Sequence, residues 1–311
     1  MQYASAPVGS RAAVLLRRLG EKAGGVYEQG RMLRPHDVVL SGTAQTVRGI
    51  AMARHRGAWP KPIVAVFHND VPQRGRAVNA WVNGVDVALC LTSAAHRSLV
   101  DDHGRDPERT FLVRWGPDLG FSGYTPTGHD FVACTGKDNR DVGTLLEALA
   151  DVRCAAKVYA PAGTQSPSPE IEIVSPTPDR PHFEFSEVLG DLQAASLVAI
   201  PIARLDRLTG LTELNDALAL GKPVVMTRTS GHLDNLDIEK AGFGVYVEPG
   251  NVEQWREVLS NLTAQPERLE AMGRAARNFA ETEWNYAEYC AVLDRALQIA
   301  IGSPVLRPEG R

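Results

Sequence analysis

Short apolar runs recur along the chain, and amphipathic stretches with helical spacing separate them. In the first third, the apolar runs lie at 37–42, 62–68, 85–92 and 110–116. Helical patterns follow the first three of them, at about 45–56, up to Trp81, and from Ser93 to about Asp102. Short apolar strands that alternate with helices indicate a parallel sheet with helices on both faces.

A second alternating block begins near residue 130. Its predicted strands are 131–136, 155–161, 171–175, 196–202, 223–227 and 244–250. Helical patterns fall between them, and the chain ends in helical patterns at 251–263, 266–281 and 284–301. Two successive blocks of this kind predict an α/β fold with two doubly wound, Rossmann-like domains that face each other across a cleft.

The domain boundaries follow from composition. The stretch 117–129 is rich in Gly, Pro, Ser and Thr, and we place the linker at 121–129. This gives a first domain of residues 1–120 and a second domain of residues 130–283. A helix over 284–302 and a flexible tail over 303–311 complete the prediction.

Composition favours an intracellular globular protein. Of the 311 residues, 44% are hydrophobic and 23% are charged, as in ordinary globular chains. No run of 18 apolar residues predicts a membrane-spanning helix, and the N-terminus lacks a signal-peptide core. Four scattered cysteines indicate neither a disulfide framework nor a metal site, and Cys90 and Cys134 lie in apolar runs typical of a core. We expect a cytoplasmic location.

Charge is spread unevenly. Residues 1–120 hold 16 Lys and Arg against 10 Asp and Glu, whereas the whole chain carries a net charge of −4. A basic amphipathic helix is predicted at 10–23. A basic first domain suits an anionic acceptor, a peripheral contact with a membrane face, or a nucleic acid, and solvated helix faces explain the same excess.

A glycine turn feeds the most informative helical pattern. Gly210, Leu211 and Thr212 precede an apolar helical pattern that Gly221 ends. The free N–H groups and the positive dipole at such a helix start suit a phosphate. Glu213 and Asp216 lie on one face of this helix, where carboxylates can accept hydrogen bonds from sugar hydroxyls. An acidic first turn favoured by the dipole alone is the other interpretation.

Two strand ends carry further candidate chemistry. Gly136 ends the strand 131–136, and Lys137 and Arg140 follow it. Cations at this place can neutralise a diphosphate, although a basic surface loop would look the same. His68 ends the strand 62–68 and is followed by two polar residues. The sequence contains no nucleophile elbow, no phosphate-binding loop of the GxxxxGK[ST] type and no metal-ligand cluster, so no metal and no cofactor are expected.

These motifs resemble those of the retaining GT-B glycosyltransferases of family 4, over about residues 60–300. The similarity rests on VACTGKDNRDVGTLLEAL, SLVAIP, GLTELNDALALGKPVV and GFGVYVEPGNVEQW in the second domain, and on FHNDV in the first. The resemblance implies a GT-B fold whose last helix, opened by Trp284, crosses back to the first domain. It also implies transfer of a sugar from a nucleotide-diphosphate sugar, the co-substrate, with retention and without a metal.

The resemblance also implies roles for individual residues. Gly136, Lys137 and Arg140 match the loop whose cations hold the donor diphosphate in that family. Gly210, Leu211 and Thr212 match its glycine-led helix start, Asp216 matches the acid that holds the ribose, and Glu213 is placed to contact the sugar. His68 matches the strand-end histidine near the reacting sugar. Catalytic roles are therefore expected for His68, Lys137 and Arg140, and donor binding for the others.

Two features depart from the family pattern. Leu208 stands where the first acid of the family's E-x7-E pair would fall, and the first domain is short. They motivate a rival hypothesis, a non-catalytic module that binds nucleotide sugars or glycans. A nucleotide-sugar epimerase or hydrolase on the same scaffold is a second rival. The sequence does not name the sugar, the base or the acceptor.

Overall fold

The computed structural model describes residues 33–302 except 34, 121–130, 137, 204–205 and 230–235. The chain divides into two compact units. Unit 1 comprises Met1–Val113 and Cys290–Arg311, and unit 2 comprises Arg114–Tyr289. The division falls a few residues before the predicted linker, and the return to unit 1 falls six residues after the predicted boundary at 284. Each unit is built on its own parallel sheet.

Unit 1 contains a four-stranded sheet. Its elements are β1 (Val39–Ser41), α1 (Arg48–His55), β2 (Ile63–Phe67), α2 (Arg76–Val82), β3 (Val87–Cys90), α3 (Ser93–Arg97) and β4 (Thr110–Leu112). A 3-10 turn precedes α1, and a π turn over Ser98–Asp102 extends α3. All four strands are parallel, in the order β1-β2-β3-β4.

In unit 1, the strands lie side by side in the order in which they occur along the chain. Right-handed crossovers between consecutive neighbours place α1, α2 and α3 on one face of the sheet. The opposite face is buried as well, since both Val64 and Ala65 of β2 are fully buried. The reversal of a doubly wound sheet was expected in both domains, but among the described residues it occurs only in unit 2. The predicted helix at 10–23 lies outside the described residues.

A buried ion pair links α1 to the edge of this sheet at which β2 and β3 begin. Arg54 on α1 binds both carboxylate oxygens of Asp86 at 2.6 Å, and these side chains are 1% and 4% exposed. Asp86 also accepts the N–H of Ile63 at 2.8 Å, at the start of β2. Since β3 begins at Val87, this pair joins α1 to the starts of both central strands.

Unit 2 contains a six-stranded parallel sheet. Its strands are β5 (Phe131–Cys134), β6 (Ala155–Tyr159), β7 (Ile171–Val174), β8 (Leu197–Ile200), β9 (Val224–Thr227) and β10 (Gly244–Val247). Its helices are α4 (Val142–Leu149), α5 (Phe185–Ala194), α6 (Leu211–Ala219), α7 (Val252–Thr263) and α8 (Pro266–Thr282). The helix α9 (Tyr286–Ile301) begins in unit 2 and ends in unit 1.

The sheet of unit 2 reverses direction at its centre. The strand order is β10-β9-β8-β5-β6-β7, so β5 and β8 are neighbours from which the chain proceeds in opposite directions. Loops that leave such a pair diverge to opposite faces and open a crevice at the carboxyl ends of the strands. The doubly wound order predicted for the second domain is confirmed.

The elements otherwise follow the sequence pattern, with shorter strands. In the described part of the chain, each predicted strand is present within its apolar run. The final helices lie within two residues of their predicted bounds. The resemblance implied that Trp284 is the first residue of the last helix, but this helix begins at Tyr286. Trp284 lies fully buried two residues before α9, and its indole N–H donates to Asn215. Cys90 and Cys134 are fully buried core residues, as predicted. No helix in the described ranges is long and apolar enough to cross a membrane.

The first prediction concerns the buried pair of unit 1. We expect Arg54→Leu to lower the free energy of unfolding by about 3–5 kcal/mol, because it leaves the carboxylate of Asp86 buried without its counter-ion. The matched control is Arg74→Leu, which removes an ion pair between exposed Arg74 and Asp102 and should cost less than about 1 kcal/mol. Urea denaturation of both variants measures the difference. Equal, small losses would contradict a structural role for the buried pair.

Candidate functional site

The loop after β5 is held by one carboxylate from α6. The Oε1 atom of Glu213 accepts the N–H of Thr135 at 2.6 Å, its hydroxyl at 2.8 Å, and the N–H of Gly136 at 3.0 Å. Glu213 belongs to the first turn of α6 and is buried. The carboxylate therefore connects the carboxyl end of β5 to the start of α6, at the crevice of the switch point.

The second oxygen of Glu213 pairs with Arg140. The guanidinium donates to Oε2 from Nε at 3.2 Å and from Nη2 at 2.8 Å, and the two side chains are 6% and 4% exposed. The Nη1 group of Arg140 donates to the carbonyl of Asp138 at 2.8 Å. Gly136 leaves room for this packing, because a Cβ there would lie 2.0 Å from the Nε atom of Arg140.

The start of α6 faces the same crevice. Gly210 caps this helix with φ of 80°, a conformation that other residues rarely adopt. A Cβ at this position would lie 2.9 Å from Ile200 Cγ2 and 3.1 Å from Met226 Cε, at the ends of β8 and β9. Since the N–H groups of a first helical turn have no intrahelical partner, those of Leu211 and Thr212 can bind an anion.

Asp216 lies one turn further along α6, beside an open pocket. This pocket has a cavity volume of about 320 Å³ and is lined in part by Thr212, Trp115, Asp118 and Tyr286. Burial raises the pKa of the Asp216 carboxyl to about 7, and the charge of Glu213 adds to this effect. In the described part of the chain, no residue hydrogen-bonds this carboxyl, so it is placed to bind a ligand hydroxyl.

A second pocket adjoins the loop on the other side. It has a cavity volume of about 190 Å³ at the carboxyl ends of β6 and β7, and both Gly136 and Arg140 contribute to its wall. Tyr159 and Phe183 form its aromatic corner, with ring centroids 4.9 Å apart and an interplanar angle of 81°. The hydroxyl of Tyr159 donates to Asp191 at 2.6 Å, which fixes this ring. A pocket of this size and lining can hold a planar ring.

His68 lies in unit 1, where it joins two strand ends. Its Nε2 atom lies 2.9 Å from the carbonyl oxygen of Gly42, which follows β1. A carbonyl can only accept, so Nε2 carries a proton, and in the neutral ring Nδ1 is the acceptor. The imidazole is therefore oriented at the carboxyl edge of the first sheet.

The structure gathers most of the predicted residues of unit 2. Gly136, Arg140 and Glu213 are in direct contact, and the other candidates on α6 lie within two turns of them. Lys137 lies outside the described residues. The sequence predicted that Glu213 contacts a sugar hydroxyl. In the structure, five donors of its own chain occupy its two oxygens. Arg140 was expected to face a diphosphate as a cation, but most of its N–H groups donate to Glu213 and to the carbonyl of Asp138.

Sequence reasoning missed the aromatic corner. Tyr159 and Phe183 lie 24 residues apart, and neither belongs to a motif. An aromatic residue at the carboxyl end of a predicted strand was the available signal for Tyr159. In the described ranges, no group of three or more His, Cys, Asp or Glu side chains could hold a metal ion.

Two curated relatives share about half of their length with this chain. The D-inositol 3-phosphate glycosyltransferase of Segniliparus rotundus is 29% identical over 247 residues, which are 68% of this chain and 53% of that protein. The protein of the same name from Rhodococcus opacus is 27% identical, over 65% of this chain and 51% of its own length. No protein-family model matches the chain.

Solved structures share the fold. HepE of Anabaena, in complex with UDP and glucose, superposes with a TM-score of 0.70 at 14% identity, over 94% of this chain and 84% of HepE. WaaG, a glycosyltransferase involved in lipopolysaccharide biosynthesis, gives 0.62 at 17% identity, over 96% and 86%. The fold is that of the GT-B glycosyltransferases. The crevice of unit 2 is the candidate functional site.

A substitution at Glu213 tests the arrangement of the loop. We expect Glu213→Gln to destabilise the protein by about 3–5 kcal/mol, because Arg140 keeps its charge in a buried site without a counter-ion. The control is Glu270→Gln, which removes an exposed ion pair with Arg274 and should cost no more than about 0.5 kcal/mol. Chemical denaturation compares them. An equally small effect of Glu213→Gln would show that the buried pair does not hold the loop.

Asp216 should make stability depend on pH. Its carboxyl has a raised pKa of about 7 when folded and the ordinary value of 3.8 when unfolded, so the folded state holds this proton more tightly. The stabilisation is complete below pH 4 and is lost as the pH rises to about 7. We expect the melting temperature of Asp216→Asn, relative to wild type, to rise between pH 4 and 7 and then level off. A constant difference measured by calorimetry would refute the raised pKa.

Proposed function

We propose that this chain transfers a sugar from a nucleotide-diphosphate sugar to an acceptor, as a hexosyl- or related transferase of class EC 2.4. We further propose retention of anomeric configuration and no requirement for a metal ion. The observation that carries the proposal is the order of sites along the carboxyl edge of the unit 2 sheet. An aromatic pocket at β6 and β7, a cationic loop at β5 and a helix start at β8 and β9 follow one another.

This order suits the parts of the donor. The pocket of Tyr159 and Phe183 can hold the nucleobase, and the diphosphate then falls between the loop and the start of α6. The N–H groups of Leu211 and Thr212, with Lys137 and the remaining N–H groups of Arg140, would stabilise the charge that develops on the leaving diphosphate. Such stabilisation by fixed donors does not need a metal ion.

Other residues act through position. Glu213 would orient Arg140 and the Gly136 N–H toward the diphosphate instead of touching the sugar, since its own oxygens are filled. Asp216 would hold ribose hydroxyls, for which its carboxyl offers both a donor and an acceptor near neutral pH. His68 would orient the sugar or stabilise the transition state.

The comparisons support a UDP-sugar as the donor, since HepE is solved with UDP and with UDP-glucose. For the acceptor, we propose an anionic molecule. The two curated relatives are named for D-inositol 3-phosphate, and residues 1–120 carry an excess of positive charge. A membrane face and a nucleic acid are the alternative anionic partners, and all three predict acceptor binding that weakens with salt.

The test begins with donor binding. A thermal-shift series with UDP, GDP and their sugars, without metal, should give a selective rise in melting temperature by mass action. Turnover of the selected donor is then measured with anionic acceptors. Absence of any shift would remove the nucleotide site, and binding without turnover would favour a non-catalytic module. Consumption of donor without acceptor would favour an epimerase or hydrolase.

The cations provide the prediction for catalysis. We expect Lys137→Ala to lower kcat by about 10²–10³-fold, as removal of one transition-state donor does. Arg140→Lys keeps the charge but loses the forked contact to Glu213, and should lower kcat while retaining most of the fold. Lys240→Ala, at an exposed site of unit 2, serves as the control. Unchanged kcat in both Lys137→Ala and Arg140→Lys would refute the diphosphate assignment.

A further inference from the structure

An apolar pocket lies beyond the start of α6, at the ends of β9 and β10. Its cavity volume of about 10 Å³ leaves room for one group the size of a methyl or a water. Five of the side chains that line it are aliphatic or thioether groups, namely Leu208, Leu211, Leu214, Met226 and Leu236. Four of these are more than nine-tenths buried, and Leu208 is half-buried. Nothing in the proposed roles of phosphate, base or ribose uses this pocket.

The two hydroxyl-bearing residues of the lining are already engaged within the chain. Thr209 Oγ1 accepts the side-chain amide of Asn139 at 3.1 Å. The hydroxyl of Tyr246 donates to the carbonyl oxygen of Leu236 at 3.2 Å. A ligand hydroxyl in this pocket would lose hydrogen bonds to water and gain few in return, which costs affinity. The lining therefore favours a small apolar group.

The place of the pocket identifies the part of the ligand. Along the sheet edge, the aromatic pocket lies at β6 and β7, the cationic loop at β5, and the apolar pocket at β9 and β10. With about 4.8 Å between neighbouring strands, the two pockets lie on the order of 15–20 Å apart, on either side of the loop. A donor with its base in the first pocket and its diphosphate at the loop extends its sugar toward the second.

We propose that the transferred sugar is a 6-deoxyhexose, whose C6 methyl group occupies this apolar pocket. The proposal rests on the proposed function and names its substrate class. A methyl group fills the space between the leucine side chains without leaving a polar atom unpaired. The hydroxymethyl group of an ordinary hexose would bury a hydroxyl there instead.

Leu208 points to the same conclusion. It takes the position at which the family pattern has the first acid of its E-x7-E pair, so a group that accepts hydrogen bonds from sugar hydroxyls is replaced by an aliphatic one. An apolar wall can reject an analogue that merely adds a hydroxyl only by about 100-fold at most. We therefore expect a preference for the deoxy sugar of about 10- to 100-fold.

The experiment compares matched donors on the wild-type chain. Dissociation constants are measured by calorimetry for UDP, UDP-glucose, UDP-6-deoxyglucose and UDP-N-acetylglucosamine, with the GDP series in parallel. We expect the 6-deoxy donor to bind about 10- to 100-fold more tightly than the hexose donor of the same nucleotide. If the N-acetyl donor binds most tightly, the apolar pocket takes the methyl of an acetamido group, and the 6-deoxy proposal is overturned. Equal binding, or preference for the hexose, would overturn it as well.

Variants separate this inference from the proposed function. Leu208→Glu restores an acceptor for hydroxyls and should reduce the preference for the deoxy donor at least 10-fold. Phe185→Glu adds the same charge at an exposed site of α5 and should leave the preference unchanged. If neither UDP nor GDP binds, the proposed function fails. If a nucleotide binds and the deoxy preference is absent, only the present inference fails.

Discussion

The carboxylate of Glu213 joins the two halves of the unit 2 sheet. Its five hydrogen bonds run from the first turn of α6, which follows β8, to the loop that follows β5. These two strands are the neighbours at which the sheet reverses direction. At the crevice that the reversal opens, the carboxylate from the β8 side therefore accepts the hydrogen bonds of backbone N–H groups and of the Arg140 guanidinium from the β5 side.

The remaining features of the site depend on this connection. With the loop fixed, Gly136 and Arg140 form one wall of the aromatic pocket, and the first turn of α6 presents its N–H groups at the same edge. The charge of Glu213 also contributes to the raised pKa of Asp216, one turn away on the helix. A buried ion pair thus sets both the geometry and the electrostatics of the candidate site in unit 2.

The sequence allowed most of the architecture to be predicted, and the reason is burial. Strands such as β8 and β9 are covered on both faces, so they appear as continuous apolar runs bounded by Gly and Pro. Side-chain pairing was less predictable. Glu213 and Thr135 lie 78 positions apart, and nothing local to either indicates that one bonds the other. The glycine at 210 was informative because its conformation is a backbone requirement, which a sequence records directly.

The same limit explains the differences at single residues. Arg140 resembles a solvent-facing cation in sequence, but folding places it against a carboxylate that follows a different strand. Trp284 resembles the first residue of a helix, whereas its indole is committed to Asn215 in the interior of unit 2. In both cases the deciding partner is distant along the chain, and local pattern carries no information about it.

The close approach at Gly136 has a consequence for sequence variation. Any side chain at this position would overlap the Arg140 guanidinium, whose position is set in turn by Glu213. The three residues are therefore coupled, and their tolerance of substitution is collective. An alanine at 136 requires either a shift of the Arg140 guanidinium away from Glu213 or a shorter residue at 140. In either case Glu213 keeps its hydrogen bonds to the backbone of residues 135 and 136 and to the Thr135 hydroxyl. The residue tolerated at 136 therefore depends on the side chain at 140 and on where its guanidinium lies.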